Sequence, residues 1–367
     1  MHPLIRRIHH ALTNHVDSFL LVCTMILIAM GLAVLFSASD QSLPKVSSQV
    51  ANITVAFVVM WAIANVPPHQ LMRFALPLYI AGLVLLVGVA LFGEISNGAR
   101  RWLNLGIARI QPSELMKIAV PMMLAWYFDR HESALKLRNY AIGAAILIFP
   151  VLLIARQPDL GTAILIASSG FFVLFYAGLS WKIIAGLFVS GLASLPILWS
   201  ILHDYQKQRL LTLLNPEKDP LGAGYHTIQS MIAVGSGGIF GKGWLHGTQA
   251  HLDFLPEHTT DFIFAVFSEE FGLIGNLFLI VMYALVIARG LSIASNAPTL
   301  FSRLMAGSIT MTFFTYCFVN MGMVSGILPV VGVPLPLISY GGTSMVTMLL
   351  GFGILMSIHT HKKLVKT

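Results

Sequence analysis

Residues 18–38 read Ser18-Phe19-Leu20-Leu21-Val22-Cys23-Thr24-Met25-Ile26-Leu27-Ile28-Ala29-Met30-Gly31-Leu32-Ala33-Val34-Leu35-Phe36-Ser37-Ala38. The run contains no Asp, Glu, Lys, Arg or His. A bilayer core of about 30 Å takes roughly 20 helical residues, so the stretch is read as a membrane-spanning helix. It has no small-residue cleavage signal after it, and is taken as a retained first span. The same test finds further spans at 48–66, 72–92, 112–128, 139–155, 160–178, 181–202, 261–288, 301–325 and 335–358, giving about ten in all. The fold class is an all-α polytopic membrane protein. The fourth and fifth spans are short and are expected to sit partly in protein or at the interface.

Composition agrees. The chain has 367 residues, 56% hydrophobic and 10% charged. A soluble domain carries about 25% charged residues. A soluble enzyme, a disordered chain and a disulfide scaffold are thereby excluded. Cys23 and Cys317 both lie in apolar runs, which indicates no disulfide framework. The net charge of +7 sits mostly in short loops. That suits anionic headgroups and topology, and no nucleic-acid partner is expected.

Ten spans place both termini on one side. With the N-terminus inside, Arg6, Arg7, Arg73, Arg130, Lys136, Arg138, Lys182, Arg289, Arg303, Lys362, Lys363 and Lys366 face the cytoplasm. The short outer loops hold only Lys45, Arg100, Arg101, Arg109 and Arg156, as the positive-inside rule requires. The 203–260 segment between spans seven and eight is then a long loop on the outer face. Loops beyond about 15 residues in a compact protein are usually functional. Its run Gly235-Ser236-Gly237-Gly238, then Gly241-Lys242-Gly243-Trp244, suits either a flexible surface loop or a folded cradle of re-entrant segments.

Ionisable groups inside spans are costly and mark function or pairing. Glu114 and Lys117 open the fourth span, three residues apart and therefore on one face. They form a structural salt bridge, or else Lys117 binds a substrate phosphate while Glu114 orients it. Pro112 suits the first turn of that helix, with Gln111 or Ser113 at its start. Glu269 and Glu270 lie within the eighth span and must pair with bases or line a wet cavity. Asp261 stands at the outer mouth of that span. It is either a helix N-cap or a carboxylate able to take a proton from a hydroxyl. Asp159 opens the sixth span and reads as an N-cap, with Arg156 beside it on the outer face. Asn320 is expected to bond a neighbouring helix. Pro329, Gly332, Pro334 and Pro336 force irregular backbone at membrane depth, tolerated where it is buried in protein or lines a cavity. The chain has no phosphate-binding GxxxxGK[ST] loop and no Cys/His metal spacing, GxSxG or HExxH.

Several of these segments together resemble the SEDS family (shape, elongation, division and sporulation), across almost the whole chain. The specific matches are Arg156-Gln157-Pro158-Asp159-Leu160-Gly161-Thr162, Asn215-Pro216 onward to Gly224-Tyr225-His226-Thr227-Ile228-Gln229-Ser230, Gly241-Lys242-Gly243-Trp244, Leu255-Pro256-Glu257-His258-Thr259-Thr260-Asp261-Phe262, Glu269-Glu270-Phe271-Gly272 and Pro334-Leu335-Pro336-Leu337-Ile338-Ser339-Tyr340-Gly341-Gly342. The short N-terminus and the run from Gly241 to Gln249 are similar to the elongation branch rather than the division branch. Thr259 stands where the family pattern has His, with His258 one place earlier, which weakens any role for His258 but not for Asp261.

The resemblance implies a single membrane domain over 1–367, with 203–260 a periplasmic loop, in the inner membrane of a Gram-negative bacterium. It implies polymerisation of lipid II into glycan strands for cell elongation and rod shape. The implied partners are a class B penicillin-binding protein, which supplies transpeptidation, and other membrane proteins of the elongation complex. The essential carboxylate maps onto Asp261, which would act as general base on the acceptor 4-hydroxyl while undecaprenyl pyrophosphate leaves the donor with inversion. The resemblance also carries Glu114 and Lys117 over as a buried pair next to the cavity. Lys117, Glu114, Arg101, Trp102, Arg156, Arg209 and Lys242 are the candidate substrate-binding residues, and a divalent cation such as Mg is a candidate further stabiliser of the leaving group. A lipid II flippase and a non-catalytic scaffold are the rival readings.

Overall fold

The structure is a computed structural model and describes residues 15–96, 99–104, 109–132, 136–157, 159–201, 207, 211–213, 223–251 and 257–361. In chain order the elements are α1 (Ser18–Ala38), α2 (Leu43–Ala64), α3 (Pro68–Arg73), α4 (Ala75–Phe92), β1 (Glu94–Ser96), β2 (Ala99–Asn104), β3 (Arg109–Ile110), α5 (Pro112–Arg130), α6 (Leu137–Ala155), α7 (Leu160–Tyr176), α8 (Trp181–Ile201), α9 (Ala223–Ser236), α10 (Thr248–His251), α11 (Ile263–Ser295), α12 (Leu300–Val324) and α13 (Gly342–Thr360). Each of the predicted spans coincides with a helix. Among the described residues, 7 helices are long and apolar enough to cross a bilayer, and α7 is a shorter apolar helix. The chain is a multi-pass membrane protein.

Burial sorts the helices. Helix α5 buries most of its side chains and packs against α4, α6, α7, α12 and α13. A helix apolar or buried nearly all round is a core helix, which is why the fourth span looked short for a lipid-facing one. The fifth span differs from expectation. Helix α6 runs a full 19 residues and exposes Ile148, Phe149 and Leu152 on its outer side. On α8, none of the described side chains is buried, and Leu187, Phe188, Val189 and Leu192 face outward.

Helices α2 and α13 lie along one another. A Cβ on Gly353 would stand 2.5 Å from the Met60 carbonyl oxygen, so only glycine permits that approach. The tenth span begins later than the hydropathy suggested, at Gly342 rather than 335. Pro334 and Pro336 lack the N–H that a helix interior requires. The 326–341 segment instead enters the bundle as irregular chain. Leu335, Leu337 and Ile338 are buried, and Tyr283 of α11 donates to the Pro336 carbonyl at 2.8 Å. Irregular backbone at this depth is thus shielded by protein.

The small antiparallel sheet β1-β2-β3 was not anticipated in an all-helical reading. Ile95 opposes Arg100 across β1 and β2, and Leu103 opposes Ile110 across β2 and β3. It brings Arg101 and Trp102 back over the start of α5.

The glycine run of the long loop is folded, not loose. Helix α11 is broken at Gly272, whose φ is 63° and ψ −160°. Two flanking segments refill the break. The Lys242 and Gly243 N–H groups donate to the Glu269 and Glu270 carbonyls at 2.9 and 3.0 Å, and the Leu273 and Ile274 N–H groups donate to Gly238 and Ile239 at 2.9 and 3.2 Å. Gly241 has φ +79°, and a Cβ there would lie 2.1 Å from the Glu270 carbonyl oxygen. A broken membrane helix survives where a neighbour re-satisfies its backbone. The rest of the loop, 202–206, 208–210, 214–222 and 252–256, lies outside the described residues.

Candidate active site

The site is built around the turn that delivers the chain into α11. Thr260 and Phe262 N–H groups both fold back onto the Glu257 carbonyl, at 3.1 and 3.2 Å. The capping position of α11 is Phe262, which makes no side-chain cap. Asp261 is therefore not held there by capping, and among the described residues its carboxylate accepts no hydrogen bond. It is instead a partly buried carboxylate at the mouth of the helix. Burial pushes its pKa up to about 6, the nearby Glu257 adds to the rise, and Arg101 opposes it. A carboxylate so poised is ionised at neutral pH, yet basic enough to accept a proton.

The wall around it comes from separate helices. Asp159 is buried at the start of α7 and caps it, accepting from the Thr162 N–H at 3.3 Å, as the sequence indicated. The Arg101 guanidinium, on β2, stands 3.8 Å from Asp159, and Gln111 at the start of α5 reaches the same carboxylate oxygen at 3.5 Å. Trp102 follows Arg101 on β2 and is half-buried. A Cβ on Gly161 would stand 2.6 Å from the Val331 carbonyl oxygen, so the α7 start touches the proline-rich segment. That segment also meets the Asp261 turn through Asn320 of α12, whose Nδ2 donates to both the Asp261 and Val333 carbonyls, at 2.8 and 2.7 Å. The sequence reading gave Asn320 a neighbouring helix as partner. The structure gives it two loops.

Glu114 and Lys117 pair at 2.5 Å, as the three-residue spacing predicts. Thr347 of α13 donates to the other Glu114 oxygen at 3.0 Å, and the Lys117 ammonium lies 5.2 Å from the centre of the Tyr316 ring. Glu114 and Gln111 border an apolar groove of about 730 Å³ between α2, α4, α5 and α13, with Val346, Leu350 and Ile354 on its α13 side. The groove suits a hydrocarbon chain with a polar group at its Glu114 edge.

Of the other basic residues picked from sequence, Arg156 is exposed at the end of α6. Lys242 is engaged by Glu269 at 2.6 Å and by the Thr248 hydroxyl at 2.9 Å. Glu269 is fully buried and accepts further from the Thr248 and Gln249 N–H groups at 2.9 and 3.1 Å. Glu270 takes Ser37 of α1 as a partner. Glu269 is thus paired with a base, as its depth in the span demanded, while Glu270 is met by the Ser37 hydroxyl and the Leu245 N–H. Arg209 lies outside the described residues. Glu257, Tyr316, Ser339 and Gln49 had no site role from sequence, although Glu257 and Ser339 lie in the family-specific stretches and Tyr316 interrupts an apolar run.

Among the described residues no three His, Cys, Asp or Glu side chains converge as metal ligands.

Comparison with known proteins follows the same lines. The FtsW/RodA/SpoVE family model, described as a cell cycle protein, matches residues 17–364. The peptidoglycan glycosyltransferase MrdB of Escherichia coli K12 is 54% identical over 351 residues, covering 95% of this chain and 95% of that protein. The peptidoglycan glycosyltransferase RodA of Treponema pallidum is 31% identical, covering 94% of this chain and 98% of its own. Among solved structures, a chain of a peptidoglycan synthase complex that coordinates polymerization and crosslinking superposes with a TM-score of 0.83 at 31% identity, covering 94% of this chain and 98% of that one. The Thermus thermophilus rod shape determining protein RodA superposes with a TM-score of 0.71 at 29% identity, covering 94% and 96%.

Proposed function

The chain belongs to the FtsW/RodA/SpoVE family of cell cycle proteins, and on that premise we propose that it is a peptidoglycan glycosyltransferase that polymerises lipid II, with Asp261 as its general base. The observation that carries the reading is the Asp261 carboxylate: partly buried, not spent on capping α11, raised to about 6, and bordered by an arginine.

Asp261 takes the proton of the acceptor N-acetylglucosamine 4-hydroxyl. That oxygen bonds to the anomeric carbon of the donor N-acetylmuramic acid as the bond to undecaprenyl pyrophosphate breaks. One base and direct displacement invert the centre, and no second carboxylate is needed for a covalent intermediate. The leaving pyrophosphate already carries charge, so fixed cations serve it better than a strong acid. Arg101, Lys117 and Arg156 are assigned that role, with Arg209 as a further candidate and Trp102 packing on the sugar. Lys242, held by Glu269, acts by fixing the glycine segment against α11. Glu114 holds Lys117 in place. The apolar groove beside them receives a polyprenyl tail.

The loop charges support both termini in the cytoplasm and Asp261 facing the periplasm, in the inner membrane. The likeness to a chain of a synthase complex that coordinates polymerization and crosslinking supports a class B penicillin-binding protein as partner, and other elongation-complex membrane proteins belong to the same proposal. The test is polymerisation of labelled lipid II by the purified protein with that partner, its transpeptidase site blocked by a β-lactam. Long muramidase-sensitive strands are expected. Movement of lipid II head groups across the bilayer without polymer overturns the reading in favour of a flippase.

A further inference from the structure

Three successive carbonyls of the turn before α11 are each tied, two by the proline-rich segment and one by α12. Thr259 accepts from the Tyr340 N–H at 2.9 Å, Thr260 from the Ser339 hydroxyl at 2.7 Å, and Asp261 from Asn320 Nδ2 at 2.8 Å. Gln49 of α2 braces the same segment, donating to the Ser339 carbonyl at 3.3 Å and accepting from the Gly341 N–H at 3.2 Å. The backbone of the turn is clamped while the Asp261 side chain is left open.

Asn320 holds the last and most telling of these bonds. It is fully buried, and its two N–H groups are spent on two separate segments, Asp261 and Val333. Its Oδ1 has no hydrogen-bond partner among the described residues. A buried amide with an unmet acceptor costs stability, but its two donors meet the Asp261 and Val333 carbonyls, which an apolar residue of the same shape would leave unpaired. The amide orientation is fixed by its partners, because the flipped form would set oxygen against two carbonyls. What the amide supplies is a fixed spacing between the Asp261 turn and the proline-rich segment. Gly332 stands on that segment with φ +73°, and a Cβ there would lie 3.3 Å from Asp261 Oδ2.

We propose that Asn320 is the positioning residue of Asp261, and that Gly332 keeps the space beside its carboxylate clear. The inference rests on the reading of Asp261 as the base, which it deepens. Asn320 touches no substrate; it sets where the proton acceptor points. A misplacement of about 1 Å costs on the order of 100-fold in rate.

The test uses the full chain purified with its transpeptidase partner, with lipid II as the probe. N320L deletes the two donors at constant volume, and G332A crowds the carboxylate from the other side with Asn320 intact. Both are expected to lower kcat per folded molecule by roughly 10- to 100-fold while the KM for lipid II stays at the wild-type value. Wild-type kcat in G332A, or a loss in N320L that merely follows the folded fraction in a melting curve, overturns the proposal. D261N is measured alongside. If D261N turns over at the wild-type rate, the base reading itself fails. If D261N is inactive while N320L and G332A run at the wild-type rate, only the positioning role fails.

Discussion

Lys242 Nζ stands 2.6 Å from Oε1 of Glu269, so the glycine-rich part of the long loop is anchored by charge to the short first arm of the broken helix α11. The lysine side chain is 30% exposed and the glutamate 0%. The two ends of the pair therefore differ in what their loss costs. Glu269 also gathers the α10 start through Thr248 and Gln249, and the glycine segment through main-chain bonds to its carbonyl.

Removing Lys242 leaves Glu269 buried with its Thr248 and Gln249 donors but without a cation. K242M should destabilise by roughly 2–4 kcal/mol, since stripping one partner from a buried pair leaves an uncompensated charge. G241A should cost at least as much, because a Cβ at φ +79° meets the Glu270 carbonyl oxygen at 2.1 Å. Thermal unfolding in detergent checks both. A wild-type melting temperature in G241A would show that the segment is not clamped to α11.

The raised Asp261 pKa has two consequences of opposite sign for stability and activity. The base must be ionised, so kcat/KM should fall as pH drops through about 6. A carboxylate whose folded pKa lies above its unfolded value of 3.8 contributes stability below 3.8 that is lost as pH rises through about 6. At pH 7.5 D261N should therefore unfold later than wild type, by roughly 1–3 kcal/mol, while polymerising at least about 100-fold more slowly. A lower melting temperature for D261N at that pH would contradict the burial cause.

The Glu114–Lys117 pair separates a structural role from a chemical one. E114Q alone should destabilise by about 3–5 kcal/mol, because Lys117 is left charged and buried. The double variant E114M/K117M should recover most of that loss, since apolar pairs of similar volume are tolerated at such sites. It should not recover polymerisation. Wild-type turnover in the double variant would reduce the pair to a structural bridge.

The groove between α2 and α13 should govern the lipid part of the substrate. Filling it with L350W or V346W should raise the KM for polyprenyl lipid II and leave that for a short-chain analogue unchanged. An equal effect on both substrates would place the tail elsewhere.

Much of this architecture could be read from hydropathy. Every predicted span is a helix, because a bilayer imposes one length and one backbone solution. The boundaries that moved did so for local reasons. Pro334 and Pro336 delay α13 until Gly342, and the α11 break at Gly272 is hidden inside a continuous apolar run. The sheet carrying Arg101 and Trp102 was missed, as its strands are short, although Asn97-Gly98 is a hairpin signal between β1 and β2. At the site, Asp261, Glu114 and Lys117 stood out because charge is rare in spans. Their supports did not. Asn320 lies 59 residues from the carbonyl it holds, and Lys242 lies 27 from Glu269. Such pairings are set by the packing of α11 and α12, which no local pattern encodes.

The central claim is that Asp261 is the base of glycan polymerisation, and steady-state turnover of lipid II by D261N against wild type tests it most directly. General-base catalysis supplies about 100- to 10,000-fold in rate. A folded, partner-bound D261N should lose kcat by that factor, with the KM for lipid II unchanged. A D261N enzyme within about threefold of the wild-type kcat would contradict it, because no base worth that much would have been removed.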